Sequence, residues 1–141
     1  MSKMRKLIAV LCMLMMVCVL LCGCVEEMEE DGKILNRDSL TVLGSGEKMF
    51  YFSVFDTDGN ERKAEIHTDC ETVGEALLEH ELIAGEISEY GIYVKTVDGT
   101  TLDYTEDGKY WAFYIGQEYA MTGVDFTEIE DGASYSFRAE S

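Results

Sequence analysis

Residues 49–79 read MFYFSVFDTDGNERKAEIHTDCETVGEALLE, and the fold class is decided in this stretch. From Met49 the pattern has a period of two: Phe50, Phe52 and Val54 fall on one side of a strand, Tyr51, Ser53 and Phe55 on the other. Asp58-Gly59 is a turn signal, and beyond it Ala64 and Ile66 alternate with Lys63, Glu65 and His67. The two runs form a hairpin. The period then changes. Thr72 with Glu75 makes a capping box, which satisfies two orphan amide donors at a helix start. Val73, Ala76, Leu77 and His80, or Leu78 and Leu82, recur at helical spacing, and Gly85 supplies the stop.

Downstream, Tyr90 to Val97 reads as a strand ending at the Asp98-Gly99 turn, and Lys109 to Ile115 as another ending at Gly116. A loop around Gly123 and Asp125 follows, then an Asp131-Gly132 turn and a last strand from Ser134 to Arg138. The order is ββαβββ. It predicts an α+β domain with a single helix packed on a mixed sheet, in a β-grasp-like arrangement. In the strand beginning at Tyr110, alternation sends Tyr110, Ala112 and Tyr114 to one face, Trp111 and Phe113 to the other. One face packs on the helix. The other is either covered by loops such as 100–108 and 117–130 or presents aromatics to solvent or a ligand.

The N-terminal side is a different material. All 15 aromatic residues lie at or after Phe50, whereas four of the five cysteines lie within residues 1–24. Lys3, Arg5 and Lys6 precede an unbroken apolar run from Leu7 to Leu21, the length of a signal-peptide core and short for a membrane span. It ends in Leu21-Cys22-Gly23-Cys24, which resembles the bacterial lipobox. The expectation is a lipoprotein signal peptide over 1–23 and a diacylglyceryl group on the Cys24 thiol, a two-chain anchor that holds the protein at the extracytoplasmic side of the membrane. The alternative is an uncleaved single-pass anchor. Glu26, Glu27, Glu29, Glu30 and Asp31 open an acidic, self-repelling tether that runs over 24–48, with Gly44-Ser45-Gly46 as a joint, and the domain occupies 49–141. Cys70 is then the sole cysteine left unmodified, with no disulfide partner, and reads as a half-buried structural residue or a reactive thiol.

Charge narrows the partners. The chain carries 28 Asp and Glu against 11 Lys and Arg, a net charge of −17, and contains no proline. Residues 50–141 hold 21 of those acids and five of the bases, so the acidity belongs chiefly to the domain surface. That argues against nucleic acid and favours neutral or cationic partners.

No catalytic constellation is visible. There is no Gly-x-Ser-x-Gly, no phosphate-cradling loop and no His-Glu-x-x-His. His67, Asp69 and Cys70 are metal-ligand types without the paired spacing of a zinc site. Asp56-Thr-Asp58-Gly-Asn60 imitates the start of a calcium loop, but the sixth and twelfth positions hold Glu61 and His67. The expectations are therefore no enzyme, no metal site and no resident cofactor.

Residues 50–141 resemble the C-terminal domain of transcobalamin and intrinsic factor, as found in secreted and lipid-anchored bacterial proteins. The carriers of the resemblance are Thr72-Val-Gly-Glu-Ala-Leu77, Tyr90-Gly-Ile-Tyr-Val94, Val97-Asp98-Gly99, Tyr110-Trp-Ala-Phe-Tyr-Ile-Gly116, Gly123-Val-Asp125, and Asp131-Gly132 with Tyr135 and Phe137. The family implies a β-grasp-related fold, and in the animal carriers this domain closes over one side of cobalamin. Ligand-facing positions carried over are Tyr90, Gly91, Tyr93, Trp111, Ala112, Phe113 and Tyr114. Ala112 stands where the carriers often have glutamine, and no large helical domain is present to form the other side of a pocket. The function expected is a cell-surface lipoprotein whose non-catalytic module binds a small-molecule ligand, a corrinoid such as cobalamin in the specific version, or an envelope protein. The alternative is a structural or adhesive envelope module without a small-molecule site.

Overall fold

The computed structural model describes residues 33–141; the run 7–21, Cys24 and the acidic stretch 26–31 lie outside the described residues. Alternation in the opening stretch becomes alternating burial. Strand β2 (Lys48–Phe55) turns Phe50, Phe52 and Val54 inward, and β3 (Glu61–Thr68) answers with Ala64 and Ile66. They pair antiparallel with Phe52 opposite Ala64. Asp56 Oδ1 accepts the amides of Asp58 (2.9 Å) and Asn60 (3.0 Å), so the calcium-like residues are used up in closing the hairpin turn.

Strand β9 (Ser134–Glu140) runs parallel to β2 on one side and antiparallel to β7 (Tyr110–Ile115) on the other. With β1 (Thr41–Gly44) along β3 and the two-residue β8 (Glu118–Tyr119) outside β7, the six strands lie in the order β1-β3-β2-β9-β7-β8. Their inner faces bring five rings together. Phe52 meets Phe137 edge-on at 6.2 Å, Phe50 meets Tyr135 at 5.5 Å, and Phe113 sits 5.2 Å from Phe137. Aromatic pairs in such geometries add to the area they bury.

Helix α1 (Val73–Glu79) starts where the capping box predicts: Thr72 Oγ1 accepts the Glu75 amide at 3.2 Å. The return bond goes to the Glu71 amide rather than to that of Thr72. Val73, Ala76 and Leu77 are fully buried. The helix ends early, because Glu81 takes φ 56 and the Leu82 amide turns back to the Leu77 carbonyl.

Here the structure departs from the single mixed sheet with one helix. Ile83–Ser88, expected to carry only the helix stop, is strand β4, and it pairs antiparallel with β5 (Gly91–Val97) across Glu89-Tyr90. Together with β6 (Thr100–Thr101) these form a second, three-stranded sheet, β4-β5-β6. The sequence signal was absent for a physical reason: after Ile83 every residue of β4 is exposed, so no apolar alternation exists to be read. Gly85 marks a bulge in the pairing, not the helix stop. A one-turn helix α2 (Tyr104–Asp107) and a 3-10 turn (Val124–Phe126) complete the described elements, giving an α+β domain of mostly strands in two sheets.

A second departure concerns the tether. Its described part, 33–48, is folded onto the domain: β1 pairs in parallel with β3, and Leu35 is buried in the core. Leu35 and Leu43 supply the apolar contacts that an extended acidic spacer would lack. Among the described residues no helix is long and apolar enough to cross a membrane.

Candidate functional site

Strand β7 holds the centre of the candidate site. Trp111 and Phe113 point to the inner side, where the Trp111 indole N–H donates to the Thr100 carbonyl (3.0 Å) and Phe113 stacks on Tyr135 at 6.3 Å. Trp111 retains 6% exposure, and that remnant opens into a groove. The groove has a volume of about 420 Å³ and lies between the β7 side of the large sheet, strand β5 of the small one and the segment 119–124. Its lining includes Ile92, Tyr93, Val94, Trp111, Phe113 and Met121, and contains no Asp, Glu, Lys, Arg or His. Volumes of this order suit small ligands. Such a wall offers flat apolar surface and hydrogen bonds from tyrosine hydroxyls, Thr122 and main chain, and it holds no carboxylate, imidazole, amine or thiol side chain.

Two side-chain bridges hold the small sheet beside this groove. The Trp111–Thr100 bond joins β7 to β6. Asp125 Oδ2 accepts the Ile92 amide at 3.2 Å and joins the 3-10 turn to β5. Gly91, at φ 100, explains why the latter approach is possible, since a Cβ there would lie 2.6 Å from Asp125 Oδ1.

The carried-over residues divide. Tyr93, Trp111 and Phe113 meet in the groove. Tyr90 sits at the tip of the β4–β5 hairpin, 84% exposed, and Gly91 packs on Asp125, so neither lines the groove. Ala112 and Tyr114 face the opposite side of the sheet, because alternation in β7 cannot place them with Trp111. On that side the Tyr114 hydroxyl donates to Glu140 Oε1, and the Arg138 guanidinium lies 4.3 Å from the Tyr114 ring and 4.8 Å from that of Phe55. The hydrogen bond to Glu140, followed by burial, raises the Tyr114 hydroxyl above its ordinary pKa. For Tyr110, burial comes first and the Glu140 charge second. The two readings of the aromatic strand thus both contribute: the inner side is core that ends in a groove, and the outer side is half covered by Arg138 and Glu140.

The sequence marks residues 119–124 only as loop, and Tyr119-Ala-Met121, apolar within it, is the local signal of the wall that runs there. The metal-type residues do not converge. His67 Nε2 lies 3.0 Å from Glu65 Oε2, Asp69 Oδ1 accepts the Glu47 amide, and the half-buried Cys70 thiol lies 3.4 Å from Glu79 Oε2. Among the described residues no group of three or more His, Cys, Asp or Glu is placed to hold a metal ion.

No family model matches the chain, and no curated protein matches it. Solved structures do. Haptocorrin, in a crystal structure in complex with Cbi, matches 70% of this chain with 26% of its own at 15% identity and TM-score 0.51, a likeness of fold. A protein from Ruminococcus gnavus ATCC 29149, described as a "putative metal binding protein", matches 67% of this chain with 98% of its own at TM-score 0.64 and 32% identity. That identity over nearly the whole of the Ruminococcus gnavus protein places this chain in the same family.

Proposed function

We propose that the chain is a lipid-anchored extracytoplasmic module that binds a ligand non-catalytically in the groove between β5, β7 and residues 119–124. The observation that carries this reading is the wall itself: aromatic and aliphatic side chains from two sheets enclose about 420 Å³ without a charged group among them. The specific version is corrinoid capture, one edge of the macrocycle entering the groove while the rest stays outside. It draws on the fold shared with haptocorrin and on the neutral lining. The name of the Ruminococcus gnavus relative points to metal. A corrinoid brings its own metal, which suits a chain whose described residues form no three-ligand cluster.

Trp111 is the sole tryptophan of the chain and lines the groove, so its fluorescence reports occupancy. Titration of the full chain in detergent with cobinamide and cobalamin should give saturable quenching beyond the inner-filter effect, with matching calorimetric heat. Absence of both would end the corrinoid version. Palmitate labelling in a bacterial host, lost in Cys24→Ala, tests the anchor, and labelling retained in that variant would refute it. A second reading, an adhesive or structural envelope module without a small-molecule site, draws on the β4–β5 hairpin, where Ile87 and Tyr90 are each 84% exposed.

A further inference from the structure

Asp98 and Arg62 are the two charged side chains buried among the described residues, and they face each other at 3.5 Å. Asp98 lies on the turn between β5 and β6 at φ 46, and its amide donates to the Leu82 carbonyl. Its other carboxylate oxygen is taken by the N-terminal segment: Oδ1 accepts the amides of Ile34 (2.7 Å) and Leu35 (3.2 Å). Two residues past Asp98, the Thr100 carbonyl accepts the indole N–H of Trp111. Lys33, Asp98, Thr100 and Trp111 also line one void of about 10 Å³. That is at the lower limit for a single water, so packing there is nearly continuous. A buried carboxylate requires its donors, because a charge left short of partners in the interior is costly. The segment that leads in from the N-terminal side is thus fastened to the turn that holds the groove's tryptophan.

We propose that residues 33–35 form a strap that positions Trp111 through Asp98 and Thr100, so that seating of the strap and occupancy of the groove are coupled. The coupling to occupancy rests on the reading of the groove as a ligand site; the hold on Trp111 does not. Linkage makes the effect reciprocal: an occupant that needs Trp111 in place tightens the strap, and a loosened strap weakens the occupant by the same factor.

The test uses two variants of the full chain. Ile34→Pro removes one donor at a side chain that is 39% exposed, leaving Asp98, Arg62 and the core untouched. Asp98→Asn keeps the shape and removes the charge. Tryptic cleavage after Arg37, a bond that both variants retain (a proline following Lys33 resists trypsin), reads the strap, and acrylamide quenching reads Trp111, with a cooperative melt confirming that each variant is folded. At least one variant should be cleaved several-fold faster and show at least a twofold larger quenching constant. Faster cleavage with unchanged quenching overturns the hold on Trp111, and unchanged cleavage in both variants overturns the strap. Cobinamide should slow cleavage of the parent chain several-fold. A chain that binds cobinamide with no change in cleavage overturns the coupling. A chain that binds no cobinamide overturns the coupling together with the corrinoid reading, and the quenching comparison, which needs no ligand, then decides the hold on Trp111 by itself.

Discussion

Gly85→Ala tests the second sheet, the element that turns this domain from a helix-on-sheet layer into one with a groove. A Cβ on Gly85 would lie 1.9 Å from the Tyr93 carbonyl oxygen, 2.8 Å from its carbon and 3.0 Å from the Val94 Cα, all backbone atoms. Ordinary contact would require the strands to separate by about 1.5 Å there, enough to break the ladder bonds on either side of the bulge. Two or three such bonds at about 1 kcal/mol net each amount to roughly 2–3 kcal/mol. The lower chain entropy of alanine offsets about 0.5–1 kcal/mol of that, leaving a destabilisation of about 2 kcal/mol. At roughly 4 °C per kcal/mol for a domain of this size, the melting temperature falls by about 8 °C. Gly59→Ala is the matched control. It has open space around its Cβ but φ 80, so it measures the left-handed penalty alone, about 1 kcal/mol. Circular-dichroism melts of both variants, with amide exchange at Tyr93 and Val94, provide the assay. A Gly85→Ala protein that melts within 1–2 °C of the parent, with exchange at those amides unchanged, would refute the pairing of β4 with β5. The groove wall built on it would fall too.

Two further outcomes follow from the core and from the outer face. Leu77→Ala empties a fully buried position under the sheets and should cost about 2–5 kcal/mol, read by urea denaturation with the slope unchanged. Tyr114 and Tyr110 titrate above the ordinary tyrosine value in the folded chain, so folding favours their neutral forms. Their contribution is fully present below pH about 10, where the unfolded hydroxyls begin to ionise, and is lost as pH rises through the folded values. Stability should therefore fall above pH about 10, and Tyr114→Phe should flatten that fall; an identical alkaline slope in the variant would contradict the Glu140 interaction.

Much of this was legible in the linear chain. Phe50, Phe52 and Val54, Ala64 and Ile66, and Trp111 and Phe113 carry their burial in a period of two, and Thr72 with Glu75 announces the helix start. These are local signals: a strand's alternation and a cap's hydrogen bond need no distant partner. Strand β4 escaped because its exposed residues carry no pattern. The seating of Leu35 and β1 escaped because four half-exposed residues beside an acidic run read as spacer. Of the seven ligand-facing positions carried over from the family, alternation alone separates Ala112 and Tyr114 from Trp111 and Phe113. It could not have shown that Tyr93 would join the latter pair.

That junction is what tertiary structure decided. Hydrophobic periodicity specifies which side of a strand leaves water, but burial is non-directional, and the pattern does not name what the strand is buried against. The groove exists because β5 of one sheet comes beside β7 of the other, held by the Trp111 indole on Thr100 and the Asp125 carboxylate on Ile92. The sequence by itself determined strands β2, β3, β5, β7 and β9, the capped helix, the acidic surface and the aromatic content. Only the folded chain determined that six of those aromatics, Tyr93, Trp111 and Phe113 among them, meet in an uncharged groove, and that the segment expected to be a tether closes on the turn behind it.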